Sequence, residues 1–307
     1  MQDDSWGMGF NNGGSVMTKM SIGAAFSETF AFLKANWMQM LIWLGGAVVV
    51  VCLLGWLMLR NAMTTMMMAQ GDPSAALGSL GSFLLFGIVA GTIVYAASLL
   101  IWRTGLVGGE PASDIGWGLG AGAAFMFAQF VVQIALVIVM YIVMFIIGLL
   151  ALALFGASGM SLESFATGGA SAGLILFGAI FYIALIAFFL WFYGRLTVAG
   201  PLMAVNRSSN PFSAMAESWK LTSASQWTIV GFYLLLIVLF LVVFFVISLV
   251  LGGVMAAMMT PDAGAGSMIG ALVVALLVYV PIVLISVSIP AGIYRLISAK
   301  SSSDVFG

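Results

Sequence analysis

Residues 211–233, PFSAMAESWKLTSASQWTIVGFY, join an amphipathic segment directly to a long apolar one. Apolar side chains recur at i, i+3 and i+7 from Phe212 to Trp219, which is the spacing of one helix face, and polar side chains take the opposite face. Asn210 followed by proline is typical of a helix start. Such a helix before an apolar span is expected to lie in the membrane interface, with Trp219 and Trp227 at headgroup depth.

The composition of the whole chain agrees with a membrane location. Of the 307 residues, 63 % are hydrophobic and only 6 % are charged, and the mean hydropathy is +1.21. A soluble domain carries about 25 % charged residues. The sequence therefore predicts an all-α polytopic membrane protein, because a membrane barrel would alternate polar and apolar residues instead of showing continuous apolar runs.

Six apolar runs are long enough to cross a bilayer core, which takes about 20 residues. They predict six transmembrane helices, arranged as three hairpins, with amphipathic interfacial helices before the odd-numbered spans. The third run is long enough to require tilt or an extension beyond the bilayer. A flexible cytoplasmic tail is predicted at 1–20, a single transmembrane domain at 21–300 and a second cytoplasmic tail at 301–307. The predicted spans are 37–59, 82–102, 123–155, 173–193, 227–251 and 268–293.

The basic residues predict the orientation. With the N-terminus inside, only Arg60 falls on the outer side. This bias places both termini in the cytoplasm. The inner side would hold Lys19, Lys34, Arg103, Arg195, Arg207, Lys220, Arg295 and Lys300.

The even-numbered spans share an ending, an aromatic residue followed at once or after one residue by arginine. The odd-numbered spans follow segments that contain aromatic residues. We interpret this as three copies of one unit, an interfacial helix followed by a hairpin, in a pseudo-threefold bundle. The alternative is that any inner-membrane protein with an even number of spans places Arg and Trp at these boundaries. The three endings are Trp102 and Arg103, Tyr193 and Arg195, and Tyr294 and Arg295.

A few residues inside the spans are polar or have a special backbone. Gln129 and Gln133 share a helix face in the third span, and they either pair with a neighbouring helix or line a polar pathway. Gly87 and Gly91 form a GxxxG pattern that permits close helix packing. Pro281 and Pro290 are expected to kink the sixth span.

The chain offers little for catalysis or for metal binding. It has no histidine, one cysteine and no charged residue in the middle of a span, so we expect no enzyme activity, no cofactor and no bound metal. Nine basic residues without a cluster argue against nucleic acid as a partner. Two methionine groups near the outer side could supply soft ligands to Cu(I), or could form an apolar fringe. These are Met63, Met66, Met67, Met68, Met255, Met258 and Met259.

Two cytoplasmic segments carry a resemblance to a known family. FSETFAFLKANW at 26–37 and AMAESWKLTSASQW at 214–227, together with the six spans, resemble the membrane domain associated with glycerophosphoryl diester phosphodiesterases and its stand-alone bacterial relatives. The similarity covers about residues 20–300. It implies a protein of the bacterial inner membrane that is connected with lipids, but no catalytic residues transfer, because the soluble phosphodiesterase and its metal site have no counterpart in this chain.

These observations favour a non-enzymatic inner-membrane protein that interacts with membrane lipids or serves as a scaffold for another membrane protein. Each base near an anionic surface contributes about 1 kcal/mol. One alternative is a transporter or flippase for an apolar or amphiphilic molecule, and another is a subunit of a larger membrane complex. The candidate residues at the lipid interface are Lys34, Trp37, Arg103, Arg195, Trp219, Lys220, Trp227 and Arg295.

Overall fold

The computed structural model describes residues 20–68, 73–155, 172–258 and 265–306. These residues are almost entirely helical and contain no strand. Short 3₁₀ turns at Pro111–Asp114 and Ser223–Ser225 precede two of the long helices. The α-helices are α1 (Ile22–Met68), α2 (Pro73–Val107), α3 (Ile115–Phe155), α4 (Ala172–Leu196), α5 (Ala199–Asn206), α6 (Pro211–Leu221), α7 (Gln226–Met258) and α8 (Ala265–Phe306).

Six of these helices are long and apolar enough to cross a membrane, namely α1, α2, α3, α4, α7 and α8. Each of the six predicted spans lies within one of them. The prediction of an all-α polytopic protein is therefore confirmed, and the chain is a multi-pass membrane protein. The helices are longer than the spans: α8, for example, continues through residues 301–306, where the sequence predicted a tail.

The three amphipathic segments differ in form. Before α7, the segment is the separate helix α6, whose first turn is capped as predicted: the Ser213 backbone N–H donates to the Asn210 side chain at 3.2 Å. Before the first span, the segment is the beginning of α1 itself, because nothing between Ile22 and Trp37 interrupts the helix. Before the third span it is reduced to the turn Pro111–Asp114. Only one of the three predicted interfacial helices is a separate element.

The packing of neighbouring helices gives their order around the bundle, which is α3, α2, α1, α8, α7 and α4. The first and last spans, α1 and α8, therefore pack directly against each other. The first and second spans form a packed hairpin, and so do the fifth and sixth. The third and fourth spans, α3 and α4, stand at the two ends of this order and pack little against each other in the described residues, while α6 contacts both.

The protein core lies at one end of the bundle. We call the end that carries Arg103, Arg195 and Arg295 the basic end, and the opposite end the far end. Helix α5 fills the interior of the basic end: residues 199–204 are all buried, and α5 packs on α2, α6 and α8. The largest fully buried side chains include Phe32, Met40, Leu99, Ile101, Met203, Ile229, Phe232 and Ile293.

Towards the far end, the described parts of the spans leave large apolar side chains uncovered. On α3, exposed residues lie around the whole circumference of the helix. A helix with a single lipid-facing stripe would have exposed residues on one side only. The bilayer is an apolar solvent for these surfaces. Exposed side chains in this region include Tyr141, Ile142, Phe145, Ile146, Tyr182, Ile183, Phe244 and Phe245.

Candidate functional site

The three arginines that end the even-numbered spans form one pattern with the aromatic residues of the amphipathic segments. The guanidinium of Arg103 lies over the ring of Trp117, 5.7 Å from its centroid. The same distances are 4.7 Å from Arg195 to the Trp219 ring and 5.1 Å from Arg295 to the Phe32 ring. Each arginine thus contacts the segment before the next span. The last one returns to the segment before the first span, so the pattern is cyclic.

Arg103 belongs to a small ionic network. Its Nε donates to Asp114 Oδ2 at 2.5 Å, and its Nη1 donates to the Ala204 carbonyl at 3.0 Å. The other oxygen of Asp114 pairs with Arg207 Nη2 at 3.0 Å. Asp114 is buried, and a buried carboxylate that accepts from two guanidinium groups is well compensated. This network connects α2, the turn before α3 and the end of α5.

Arg295 joins α8 to α2 and α1. Its Nη2 donates to the Gly105 carbonyl at 2.9 Å, and its guanidinium lies on Phe32. Small residues allow this close approach: a Cβ added to Gly105 would lie 2.6 Å from the Phe32 ring. A Cβ added to Gly292 would lie 2.6 Å from the backbone nitrogen of Thr29. Arg295 therefore helps to hold the last span, α8, packed against the first span, α1.

Arg195 differs from the other two arginines. Its residue is only 6 % exposed, yet its Nε and Nη1 are buried without a hydrogen-bond partner among the described residues. Its backbone carbonyl, in contrast, accepts from the hydroxyls of Ser218, at 2.8 Å, and Thr222, at 3.2 Å. Trp219, which contacts the guanidinium, packs edge-on against Trp191 and against Phe192. The guanidinium is thus fixed in position, but its Nε and Nη1 have no acceptor in the described part of the chain.

The remaining candidate residues at the lipid interface lie on the outside of the basic end. Trp37 is 48 % exposed and Trp227 is 72 % exposed, while Trp219 is half-buried. Lys34 and Lys220 are exposed, and neither forms an ion pair with another described residue, since both ion pairs there use Asp114. Two tryptophan–lysine groups consequently face the surroundings of the protein.

The two intramembrane glutamines lie near the boundary between α3 and α4. Tyr193 on α4 donates to Gln133 Oε1 at 2.7 Å, and Gln129 is half-buried one turn earlier on α3. Neither glutamine lines the cavity of about 320 Å³ between α1, α2 and the start of α3. That cavity has an apolar wall formed by Ile42, Trp43, Gly46, Ala47, Val50, Ile93, Ala96, Ala97, Leu100, Ile115 and Leu119.

Of the two glycines in the GxxxG pattern of the second span, one lies close to a neighbouring helix. A Cβ added to Gly91 would lie 2.6 Å from Met126 Sδ on α3, whereas no atom lies within 4 Å of the corresponding position at Gly87. The backbones of α2 and α3 approach closely at Gly122, where a Cβ would lie 2.8 Å from the Ala96 nitrogen. Gly122 ends the stretch GWGLGAG at 116–122, whose four glycines are a sequence signal for close helix packing that the sequence analysis did not use.

In the described part of the chain, no group of three His, Cys, Asp or Glu residues could hold a metal ion. The side chains of the methionine groups at 63–68 and 255–259 lie outside that part. The polar groups at the basic end supply cations and hydrogen-bond donors, and among the described residues there we find no nucleophile next to a general base.

Comparison with protein-family models, with curated proteins and with solved structures gives no match.

Proposed function

We propose that this chain is a non-enzymatic protein of the bacterial inner membrane, with both termini in the cytoplasm, that binds anionic lipids at its basic end. The resemblance to the phosphodiesterase-associated membrane domain supports the bacterial location and the connection with lipids. The excess of basic residues on one side supports the orientation. A scaffold role for another membrane protein is compatible with the same surface.

One observation carries this proposal. Two amphipathic segments each present an exposed tryptophan together with an exposed lysine that has no ion-pair partner in the described chain, Trp37 with Lys34 and Trp227 with Lys220. Tryptophan is suited to headgroup depth, and an unpaired cation beside it attracts anionic lipid. Arg103 and Arg295 bond within the protein instead, so the proposal assigns headgroup contact at the surface to the lysines.

The test is the lipid composition around the purified protein. The double variant Lys34→Gln, Lys220→Gln is incorporated into nanodiscs containing phosphatidylglycerol and a zwitterionic lipid, and the lipids retained after extraction are measured by mass spectrometry. With about 1 kcal/mol for each base, the enrichment of phosphatidylglycerol should fall roughly tenfold or more.

The matched control is Arg60→Gln, which removes an exposed cation at the far end and should leave the enrichment unchanged. An equal enrichment in the wild type and the double lysine variant would refute the proposal.

A second candidate function is the movement of an amphiphilic molecule or lipid across the bilayer. It is favoured by the boundary between α3 and α4, two consecutive spans that pack little and are joined by the Tyr193–Gln133 hydrogen bond. Vesicles that contain a fluorescent lipid analogue in both leaflets test this directly, because a reductant added outside removes only the outer signal. Loss of the inner signal no faster than in protein-free vesicles would eliminate this candidate.

A further inference from the structure

Of the three arginines that end the even-numbered spans, Arg195 is the one whose side chain has no acceptor in the described part of the chain. Arg103 has the Asp114 carboxylate and the Ala204 carbonyl, and Arg295 has the Gly105 carbonyl. Arg195 is as buried as the core, yet its Nε and Nη1 are unbonded among the described residues. A buried charge without a partner strongly destabilises a protein. Contact with the Trp219 ring offsets part of this cost but supplies no acceptor for the N–H groups.

We propose that Arg195, held on Trp219, forms a binding site for one phosphate group, either the headgroup phosphate of a phospholipid or a free phosphate ion. This inference deepens the proposed function, since it assigns a specific phosphate site to the same end of the molecule. Nη2 is not one of the two buried nitrogens, so it is the donor that a phosphate oxygen can approach. A planar guanidinium matches phosphate oxygens in geometry and in charge.

The residues around Arg195 hold it in a fixed position. Its carbonyl accepts from two buried hydroxyls of the adjoining segment, those of Ser218 and Thr222. The Trp219 ring that lies on the guanidinium is itself wedged between Trp191 and Phe192, with centroids 5.3 Å and 5.8 Å away. A group that is fixed before the ligand arrives loses little conformational entropy on binding.

The location and the available charges favour a phosphate from outside the described chain. Arg195 is the penultimate residue of α4 and contacts the amphipathic helix α6. An amphipathic helix that lies in the membrane interface is at the depth of the headgroup phosphates. Asp114 is already shared by Arg103 and Arg207. Glu217 is exposed on α6 and forms no ion pair with another described residue.

The experiment compares Arg195→Met with the wild type in three settings: nanodiscs of phosphatidylglycerol, nanodiscs of a phosphate-free glycolipid, and the glycolipid nanodiscs titrated with inorganic phosphate. Thermal unfolding is followed in each. The wild type should unfold at a higher temperature in phosphatidylglycerol than in glycolipid. Arg195→Met should lose this difference while matching or exceeding the wild type in glycolipid, because the unpaired buried charge is gone.

Retention of phosphatidylglycerol by the variant should also fall about tenfold or more, as expected for the loss of hydrogen bonds to a charged group. Arg295→Met is the matched control. It loses the bond to Gly105 and should be less stable in every setting, but its gain from phosphatidylglycerol should remain. Should Arg195→Met fail to fold, Arg195→Lys keeps the charge without the planar fork and should lose most of the gain.

The outcomes separate the two phosphate sources. A gain that appears only with phosphatidylglycerol identifies the headgroup, and a gain reproduced by inorganic phosphate in glycolipid identifies the free ion. An equal gain in the wild type and Arg195→Met overturns the site.

The test with the double lysine variant and the test with Arg195→Met can fail independently of each other. Lipid enrichment that depends on Lys34 and Lys220 but not on Arg195 would overturn the phosphate site and leave the proposed function standing. Dependence on Arg195 alone would overturn the assignment of headgroup contact to the two lysines and leave the phosphate site standing.

Discussion

The basic end and the far end belong to the same six spans but differ in how their side chains are used. Phe32 on α1 is fully buried at the basic end, whereas Phe145 on α3 is 68 % exposed towards the far end. Both are phenylalanines in apolar helices, so hydrophobicity alone does not decide which one packs. In a bilayer, lipid tails are as apolar as the protein core, and burial from water is not the driving force.

What distinguishes the basic end is the presence of small residues and polar contacts. Gly122 and Gly292 let backbones approach closely. The Nε1 of Trp102 donates to the Val287 carbonyl at 2.7 Å, in the turn of α8 where Pro290 removes an amide from the helix. Interhelical hydrogen bonds and close van der Waals contact are the forces that associate helices within membranes. The spans are therefore joined mainly where their sequences supply glycine, arginine and hydroxyl groups.

The comparison is tested most strongly by removing the same ring at each end. Phe32→Ala should destabilise the protein by about 3 kcal/mol, near the low end of the range for soluble cores, because the lost ring leaves a cavity and removes the contact of Arg295. Phe145→Ala should change stability by less than about 0.5 kcal/mol, since lipid fills the space. Unfolding in mixed micelles titrated with dodecyl sulfate measures both. Equal losses would show that the far end is also packed.

A smaller effect is expected from adding one methyl group at each end. Gly292→Ala would place a Cβ 2.6 Å from the Thr29 backbone nitrogen. Backbone cannot rotate away as a side chain can, so the closure of α8 on α1 should weaken by about 2 kcal/mol. Gly148→Ala, in open surroundings on α3, should be neutral or should stabilise by up to about 1 kcal/mol through helix propensity. The same dodecyl sulfate titration ranks the two variants, and a tolerated Gly292→Ala would mean that α1 and α8 are further apart.

The smallest expected effect concerns the boundary between α3 and α4. Tyr193→Phe removes the hydroxyl that bonds Gln133 and should cost about 0.6 kcal/mol, the average for interhelical hydrogen bonds in membranes. Cross-linking between cysteines introduced at Val137 and at Phe189, each one turn from the bonded pair towards the far end, should slow or disappear if this bond holds the two helices together. Unchanged cross-linking would indicate that α6, which contacts both helices, suffices.

Much of the fold could be predicted from the sequence because the physical signals are local. Continuous apolar runs directly indicate transmembrane spans, and the start of α6 at Asn210 and Pro211 depends only on neighbouring residues. Helix α5 was missed for the opposite reason. Residues 199–206 are too short to span a membrane and lie between the fourth predicted span and the amphipathic segment, so the sequence analysis predicts no helix there. The helix forms because it fills the interior of the basic end, which is a tertiary effect.

The candidate site was predictable only in part. The three arginines were recognised from their repeated positions, but the identity of each aromatic partner depends on which segments become neighbours. Arg295 and Phe32 are separated by almost the whole chain, and their contact follows from the packing of the last span on the first. The burial of Asp114 and the absence of an acceptor at Arg195 likewise depend on three-dimensional placement.

The packing of the last span on the first sets a condition on biosynthesis. Helix α1 ends at Met68, and α8, on which it packs, begins at Ala265. At about 5–20 residues per second, roughly 10–40 s of translation separate the two. During that interval, the face of α1 that contains Thr29 and Phe32, at the inner interface in the proposed orientation, lacks the α8 residues on which it packs. The nascent protein thus depends on lipid or on the insertion machinery to shield this face, and a chain that stops before α8 exposes it to quality-control proteases.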